Sequence, residues 1–235
     1  MNKIRGILFD KDGTLFDFSA TWVSWADRFL NRIADDAAQA VKLGQAIGFD
    51  VKTRCFQRDS IAIAGTPMDI VDALAPLIDT MGYADLLDAI NAEAAVAPQA
   101  EPVPLRPFLM DLAARGMKLG VVTNDAEAPA RAHLDAADAT TCFDFIAGSD
   151  SGFGAKPAPG QLRAFATAMD LAPQEILMVG DSLHDLFAAH AAGMKAVGVL
   201  TGMASSAELA PHALVVLRDI GKLPDWLAEQ NLLPD

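Results

Sequence analysis

Three carboxylates stand close together in GILFDKDGTLFD, residues 6–17: Asp10, Asp12 and Asp17. Ile7, Leu8 and Phe9 before them form the apolar run that a buried strand presents. If that run stays extended, residues 10 and 12 face one side and Lys11 the other, so two carboxylates share one site. Adjacent carboxylates raise each other's proton affinity, and a bound metal ion counteracts that for whichever one it contacts. Carboxylate oxygens are also the ligands that Mg2+ prefers. Proton transfer and metal binding are therefore the chemistry open to this strand end.

Other segments bring complementary groups. Short apolar runs at 118–123, 143–147, 176–180, 196–200 and 213–217 alternate with amphipathic stretches of helical length. That alternation predicts a parallel sheet flanked by helices, to which the strand at 4–9 belongs. In such a sheet the functional crevice lies beyond the carboxyl ends of the strands. There KLGVVTND supplies Thr123 and Asn124, EILMVGDSLHD supplies Asp181, Ser182 and Asp185, and SDSGFGAKPAPGQ supplies Lys156 ahead of a helix expected near Pro159. Taken singly, each has a plainer reading: Asp181 or Ser182 as a helix cap, Thr123 and Asn124 as a turn, Lys156 as a solvated lysine. Their joint placement at one sheet edge favours a shared site.

Residues 17–103 follow a different grammar. WVSWADRFLNRI, AAQAVKLGQAIGF, TPMDIVDALAPLI and YADLLDAINAEAA carry helical periodicity without a convincing strand, and Thr66 before Pro67 reads as an N-cap with proline at the first helical position. Pro98, Pro102, Pro104 and Pro107 then suggest a stiff extended connector. The expected fold is α/β: a Rossmann-like, doubly wound parallel sheet core from residues 1–16 and 104–235, with an inserted all-helical domain over 17–103.

The chain has 235 residues, 52% hydrophobic and 21% charged, enough for a sizeable core. Its formal charge of -13 argues against nucleic-acid or anionic-membrane partners, which need clustered Lys and Arg. That field would repel an anionic substrate, but beyond ~8 Å it is screened at physiological salt, so a local cluster of cations and N–H groups can win. No apolar run approaches the ~20 residues that span a bilayer, and the segment after Met1 reaches Asp10 too soon for a secretion signal. A cytoplasmic location is expected. Cys55 and Cys142 lack metal-like spacing and are expected to be small core residues.

DKDGTL at 10–15, Thr123 with Asn124, Lys156 in GAKP and GDSLHD at 180–185 resemble the four motifs of the haloacid dehalogenase-like superfamily of phosphatases. The insertion directly after the first motif resembles that family's helical cap of the first type, as in phosphoglycolate phosphatases. The resemblance implies a Mg2+-dependent phosphatase of a small phosphorylated metabolite, 2-phosphoglycolate being the first candidate, acting as monomer or homodimer. It implies Asp10 as the nucleophile that forms an aspartyl-phosphate, and Asp12 as general acid and then base. The backbone carbonyl of Asp12 would join Asp10 and Asp181 around the metal, with Asp185 reaching it through water or orienting Lys156. Lys156, the Thr123 hydroxyl and the Asn124 backbone N–H would hold the phosphoryl group.

Specificity is expected from the cap, which by resemblance closes over the site. Arg54, Arg58 and Ser60 are its candidates, Arg58 first, since a basic group could meet a second anion on the substrate. Arg54 and Arg58 also fit a solvated helix face. Lys11 is expected to be a solvated or cap-facing bystander, Asp17 a helix-start or hinge residue, and His184 a helix-surface residue. His133, His190 and His212 form no cluster in the sequence. A sugar-phosphate mutase using the same intermediate is the alternative enzyme, and a phospho-accepting signalling domain the alternative from another class. The insertion and the Asp12-Gly13-Thr14 continuation argue against the latter. A dehalogenase would leave Asp12 superfluous, and a catalytically dead binding protein would not retain every motif.

Overall fold

The computed structural model describes residues 2–234. Its strands are β1 (Gly6–Phe9), β2 (Phe49–Asp50), β3 (Cys55–Phe56), β4 (Lys118–Val122), β5 (Phe145–Ala147), β6 (Ile176–Gly180), β7 (Lys195–Val199) and β8 (Val216–Leu217). Six of them form one parallel sheet in the order β5-β4-β1-β6-β7-β8. The expected last strand shortens to the two residues of β8.

β1 lies at the centre, with Phe9 in register with Val121 of β4 and with Val179 of β6. Alternation sends Ile7, Phe9, Val121 and Val179 to one apolar layer with Leu105, Leu109 and Leu223. Leu8, Val122 and Met178 go to the other, against Leu162, Phe165 and Leu186. Both faces are covered, which is why these strands read as unbroken apolar runs. The register also aligns the carboxyl ends of β1, β4 and β6, so the residues following each strand meet.

The insertion buries a core of its own around Trp25, Phe29, Leu43, Val71, Leu86 and Ile90. Its helices include Phe18–Ile33, Ala37–Ala46, Pro67–Leu74 and Tyr83–Ala95. Asp17 caps the first, its side chain accepting from the Ala20 N–H at 2.8 Å. Thr66 and Asp69 cap the third reciprocally, with Pro67 in the first turn.

Some expectations change. The insertion is not wholly helical: β2 and β3 pair antiparallel, Phe49 with Phe56 and Asp50 with Cys55. Two residues per strand are too few to show a period of two. Pro107 lies inside the helix Leu105–Ala114, in its first turn, where a missing N–H costs no helical bond. Cys55 is exposed on the hairpin and Cys142 is half-buried, so the core placement fails for the first. Among the described residues no helix is long and apolar enough to cross a membrane.

Candidate active site

Asp10 follows β1 directly and donates its backbone N–H to the Val179 carbonyl at 2.9 Å. The chain then turns sharply, with the Lys11 carbonyl accepting from the Leu15 N–H at 2.9 Å. Gly13 sits in this turn at φ +83°, and a Cβ there would lie 2.5 Å from the Asp181 carboxylate. Both the backbone sign and the close approach require glycine.

Lys156 arrives from the loop after β5. The Asn124 side chain fixes it by accepting from the Lys156 N–H at 2.8 Å and donating to the Lys156 carbonyl at 2.9 Å. The ammonium is thereby placed 2.5 Å from Asp10 Oδ1, 2.7 Å from Asp185 Oδ1 and 2.9 Å from the Val122 carbonyl. Asp185 is held in turn by the N–H and hydroxyl of Ser182, which donate to its Oδ2 at 3.0 and 2.7 Å. The Thr123 hydroxyl oxygen accepts from the Asp125 N–H at 3.1 Å. The contacts of Asn124 here are made by its side chain, where the sequence reading expects its backbone N–H.

Among the described residues, Asp10, Asp181 and Asp185 each offer an oxygen within 4.8 Å of the others, all three buried. Burial pushes the Asp10 carboxyl up to about 7; Lys156 opposes this, while Asp185 and Asp12 add to it. Burial, with Asp10 and Asp185 nearby, also raises Asp181 well above the carboxylate range. Burial disfavours the Lys156 charge, but Asp10 and Asp185 outweigh that and raise its proton affinity. Excess buried negative charge on hard oxygen donors is what a divalent cation such as Mg2+ relieves. The residues present fit such an ion.

Asp12 stands apart from that trio. Its carboxylate meets the Lys11 ammonium at 2.8 Å and lines the same cavity as Asp10 and Thr123. That cavity is about 40 Å³, roofed by insertion residues including Trp22, Ile63, Thr66, Ile70 and Ile90.

Lys11 is not solvated: its side chain is fully buried, held by Asp12, Asp125 and His133. Arg58 is not brought into the cavity. Its side chain is 80% exposed and 3.9 Å from Glu208, bordering an adjoining groove with Ser60 and Ser182. It lies on the loop after β3, and Arg54 lies in the hairpin turn beside Asp27, so the two share no helix face. Ser60 caps a short helix and donates to the Ile47 carbonyl at 2.5 Å. His184 is half-buried at the cavity wall rather than on an outer helix face.

Two contributors went unnoticed in the sequence. Asp125 directly follows Asn124, and that placement beyond the strand is the signal that could have found it. Gln161 donates to the Thr123 and Gly148 carbonyls, both at 3.0 Å, and gave no signal beyond opening a helix.

A family profile of haloacid dehalogenase-like hydrolases matches residues 4–193. A phosphoglycolate phosphatase of Shigella dysenteriae serotype 1 is 34% identical over 221 residues, covering 86% of this chain and 84% of that protein. A phosphoglycolate phosphatase of Rhodospirillum rubrum is 39% identical over 116 residues, 49% of this chain and 48% of that enzyme, so this match spans about half of each. In structure, CbbY from Rhodobacter sphaeroides in complex with phosphate superposes with a TM-score of 0.71 at 22% identity, covering 94% of this chain and 96% of that one.

Proposed function

The chain belongs to the haloacid dehalogenase-like hydrolases, and from that premise we propose that it is a Mg2+-dependent phosphatase working through an aspartyl-phosphate on Asp10. It is a phosphoric monoester hydrolase of the phosphoglycolate phosphatase-like kind. The observation that carries the finer reading is the division of the two motif aspartates. Asp10 is paired with Lys156 and Asp12 with Lys11, and both line one cavity.

In this reading Asp10 Oδ attacks phosphorus and the ester P–O bond breaks, the leaving alkoxide taking a proton from Asp12. Asp12 then accepts a proton from water as that water attacks the phosphorus of the aspartyl-phosphate. Inorganic phosphate leaves and the Asp10 carboxylate is restored. Lys156 and the Thr123 hydroxyl hold phosphoryl oxygens. Asp10, the Asp12 main-chain carbonyl and Asp181 would hold Mg2+, with Asp185 behind them. When bound, the ion supplies positive charge to the phosphoryl oxygens and to the clustered carboxylates.

The substrate we favour is small. The cavity over Asp10 is only about 40 Å³ and is closed over by Trp22, Ile63, Ile70 and Ile90. 2-Phosphoglycolate is the first candidate, since the curated relatives bear its name.

The test is phosphate release from 2-phosphoglycolate, glycerol 1-phosphate, glucose 6-phosphate and 4-nitrophenyl phosphate, with and without Mg2+, using Asp10→Asn as control. Mg2+-dependent turnover that vanishes in Asp10→Asn is expected. Turnover that survives the substitution would sink the aspartyl-phosphate mechanism.

A further inference from the structure

The Lys11 ammonium, fully buried, lies 2.8 Å from Asp12 Oδ2 and 3.1 Å from Asp125 Oδ2. His133 Nδ1 lies 2.9 Å away, and the Trp22 ring stands over the ammonium, its centroid at 5.8 Å. An ammonium donates and cannot accept. His133 Nδ1 must therefore be the acceptor, which puts the ring proton on Nε2, the atom 2.7 Å from the Ala94 carbonyl. Burial and the Lys11 charge hold His133 down at about 4, consistent with that neutral ring.

These partners come from different parts of the fold. Asp12 belongs to the turn after β1, and Asp125 and His133 to the loop and helix after β4. Trp22 and Ala94 belong to the insertion, in the helices Phe18–Ile33 and Tyr83–Ala95. Burying an ammonium is strongly unfavourable unless it is paired and its donors are used, and the phosphoryl site already has a cation in Lys156. The two lysines divide the carboxylates: Lys156 bridges Asp10 and Asp185, and Lys11 bridges Asp12 and Asp125.

We propose that Lys11 is a positioning residue that fixes the Asp12 carboxylate and ties it to the seating of the insertion through His133 and Trp22. The inference rests on the phosphatase reading with Asp12 as acid and base. With the insertion seated, Trp22 covers the ammonium, the Ala94 carbonyl orients His133, and Lys11 holds Asp12 in one place. If the insertion swings away, the cradle loses Trp22 and Ala94 together, water reaches Lys11, and its hold on Asp12 weakens. Proton transfer is then favoured only under a closed roof.

The experiment compares Lys11→Met, His133→Leu and His133→Gln with the wild type on two esters. One is 4-nitrophenyl phosphate, whose leaving group needs little protonation; the other is the fastest alkyl ester of the panel above. kcat/KM reports the transfer to Asp10, where the leaving group departs. A lost proton donor costs about 10²- to 10⁴-fold, so Lys11→Met is expected to lose at least about 10²-fold on the alkyl ester. Its loss on 4-nitrophenyl phosphate should be about fivefold or less, and its KM for the alkyl ester should stay within about threefold. His133→Leu should show the same selectivity in smaller measure, and His133→Gln, which keeps a donor and an acceptor, should recover it. Equal losses on both esters, or a lowered Tm with the alkyl-to-aryl ratio unchanged, would overturn the proposal. If Lys11→Met does not fold, the His133 pair decides: the same ratio in Leu and Gln overturns it. A wild type that hydrolyses no member of the panel would overturn the phosphatase reading instead.

Discussion

The Asn124 side-chain amide donates to the Ala64 carbonyl at 2.7 Å, so a residue of the sheet edge is bonded directly to the insertion. The same side chain clamps the backbone of Lys156 from both sides. One residue therefore links the roof of the cavity to the cation on its floor. Asn124→Ala removes these bonds and is expected to lower kcat by about 10²-fold, the scale for one misplaced electrostatic group. It should also cost about 1–3 kcal/mol of stability, because the buried Lys156 backbone groups lose their partners. Paired kinetics and denaturant melts check this; full kcat in Asn124→Ala would contradict the linkage.

Gly13 gives a second expectation. Alanine there must take φ near +83° and place its Cβ 2.5 Å from the Asp181 carboxylate. The left-handed backbone costs about 1 kcal/mol, and the clash displaces a carboxylate of the trio. Gly13→Ala is expected to weaken Mg2+ binding, read by calorimetry, more than tenfold while leaving the circular dichroism spectrum native. Unaltered Mg2+ affinity would show that Asp181 does not hold the ion.

Much of this site was legible because its residues sit directly after strands. Thr123 and Asp181 are each the first residue past a strand, and the parallel register does the rest. Of the two expectations for Lys11, the cap-facing one agrees with Trp22 over its ammonium and the solvated one fails, for a local reason. Period-two alternation holds only while the chain is extended, and β1 ends at Phe9. Residues 11–16 turn back on themselves, with the Lys11 carbonyl accepting from Leu15 and Phe16, so Lys11 meets Asp12 instead of facing away. Its other partners, Asp125 and His133, lie more than a hundred residues on, where no spacing rule reaches. Arg58 is a candidate on charge alone, and charge does not say which way the turn after β3 faces; there the side chain is 80% exposed, as the solvated alternative expects, although no helix carries it.

His133 predicts an acid sensitivity. Its folded value is near 4 against 6.5 for the free ring, so the unfolded chain binds a proton that the folded protein refuses. Stability from this group is whole above about 6.5 and is lost as pH falls toward 4, by up to about 3 kcal/mol. Denaturation between pH 7 and 4 should show a steeper loss in the wild type than in His133→Gln. Parallel curves for the two proteins would refute this role.

Asp10 predicts a pH dependence of the opposite sign, visible in metal binding. Without metal its carboxyl is held up to about 7, chiefly by burial, and Asp181 is raised as well. Both are raised carboxylates, so they favour the folded state at acid pH and withdraw that support as pH climbs, Asp10 from about 4 through 7. The metal-free protein should therefore gain most from Mg2+ on the alkaline side, as a larger rise in Tm at pH 8 than at pH 6. Binding must also expel the protons held below pH 7. Mg2+ affinity should then weaken about tenfold for each unit of pH below 7 and each proton displaced, and level off above it. Calorimetry in two buffers of different ionisation enthalpy measures the release directly: about one proton or more at pH 6, and less at pH 8.5, where Asp10 is already ionised. In Asp10→Asn the release should drop by the share that Asp10 contributes. Equal affinity at pH 6 and pH 8 with no proton released would mean that these carboxylates are already ionised, or that the ion binds elsewhere.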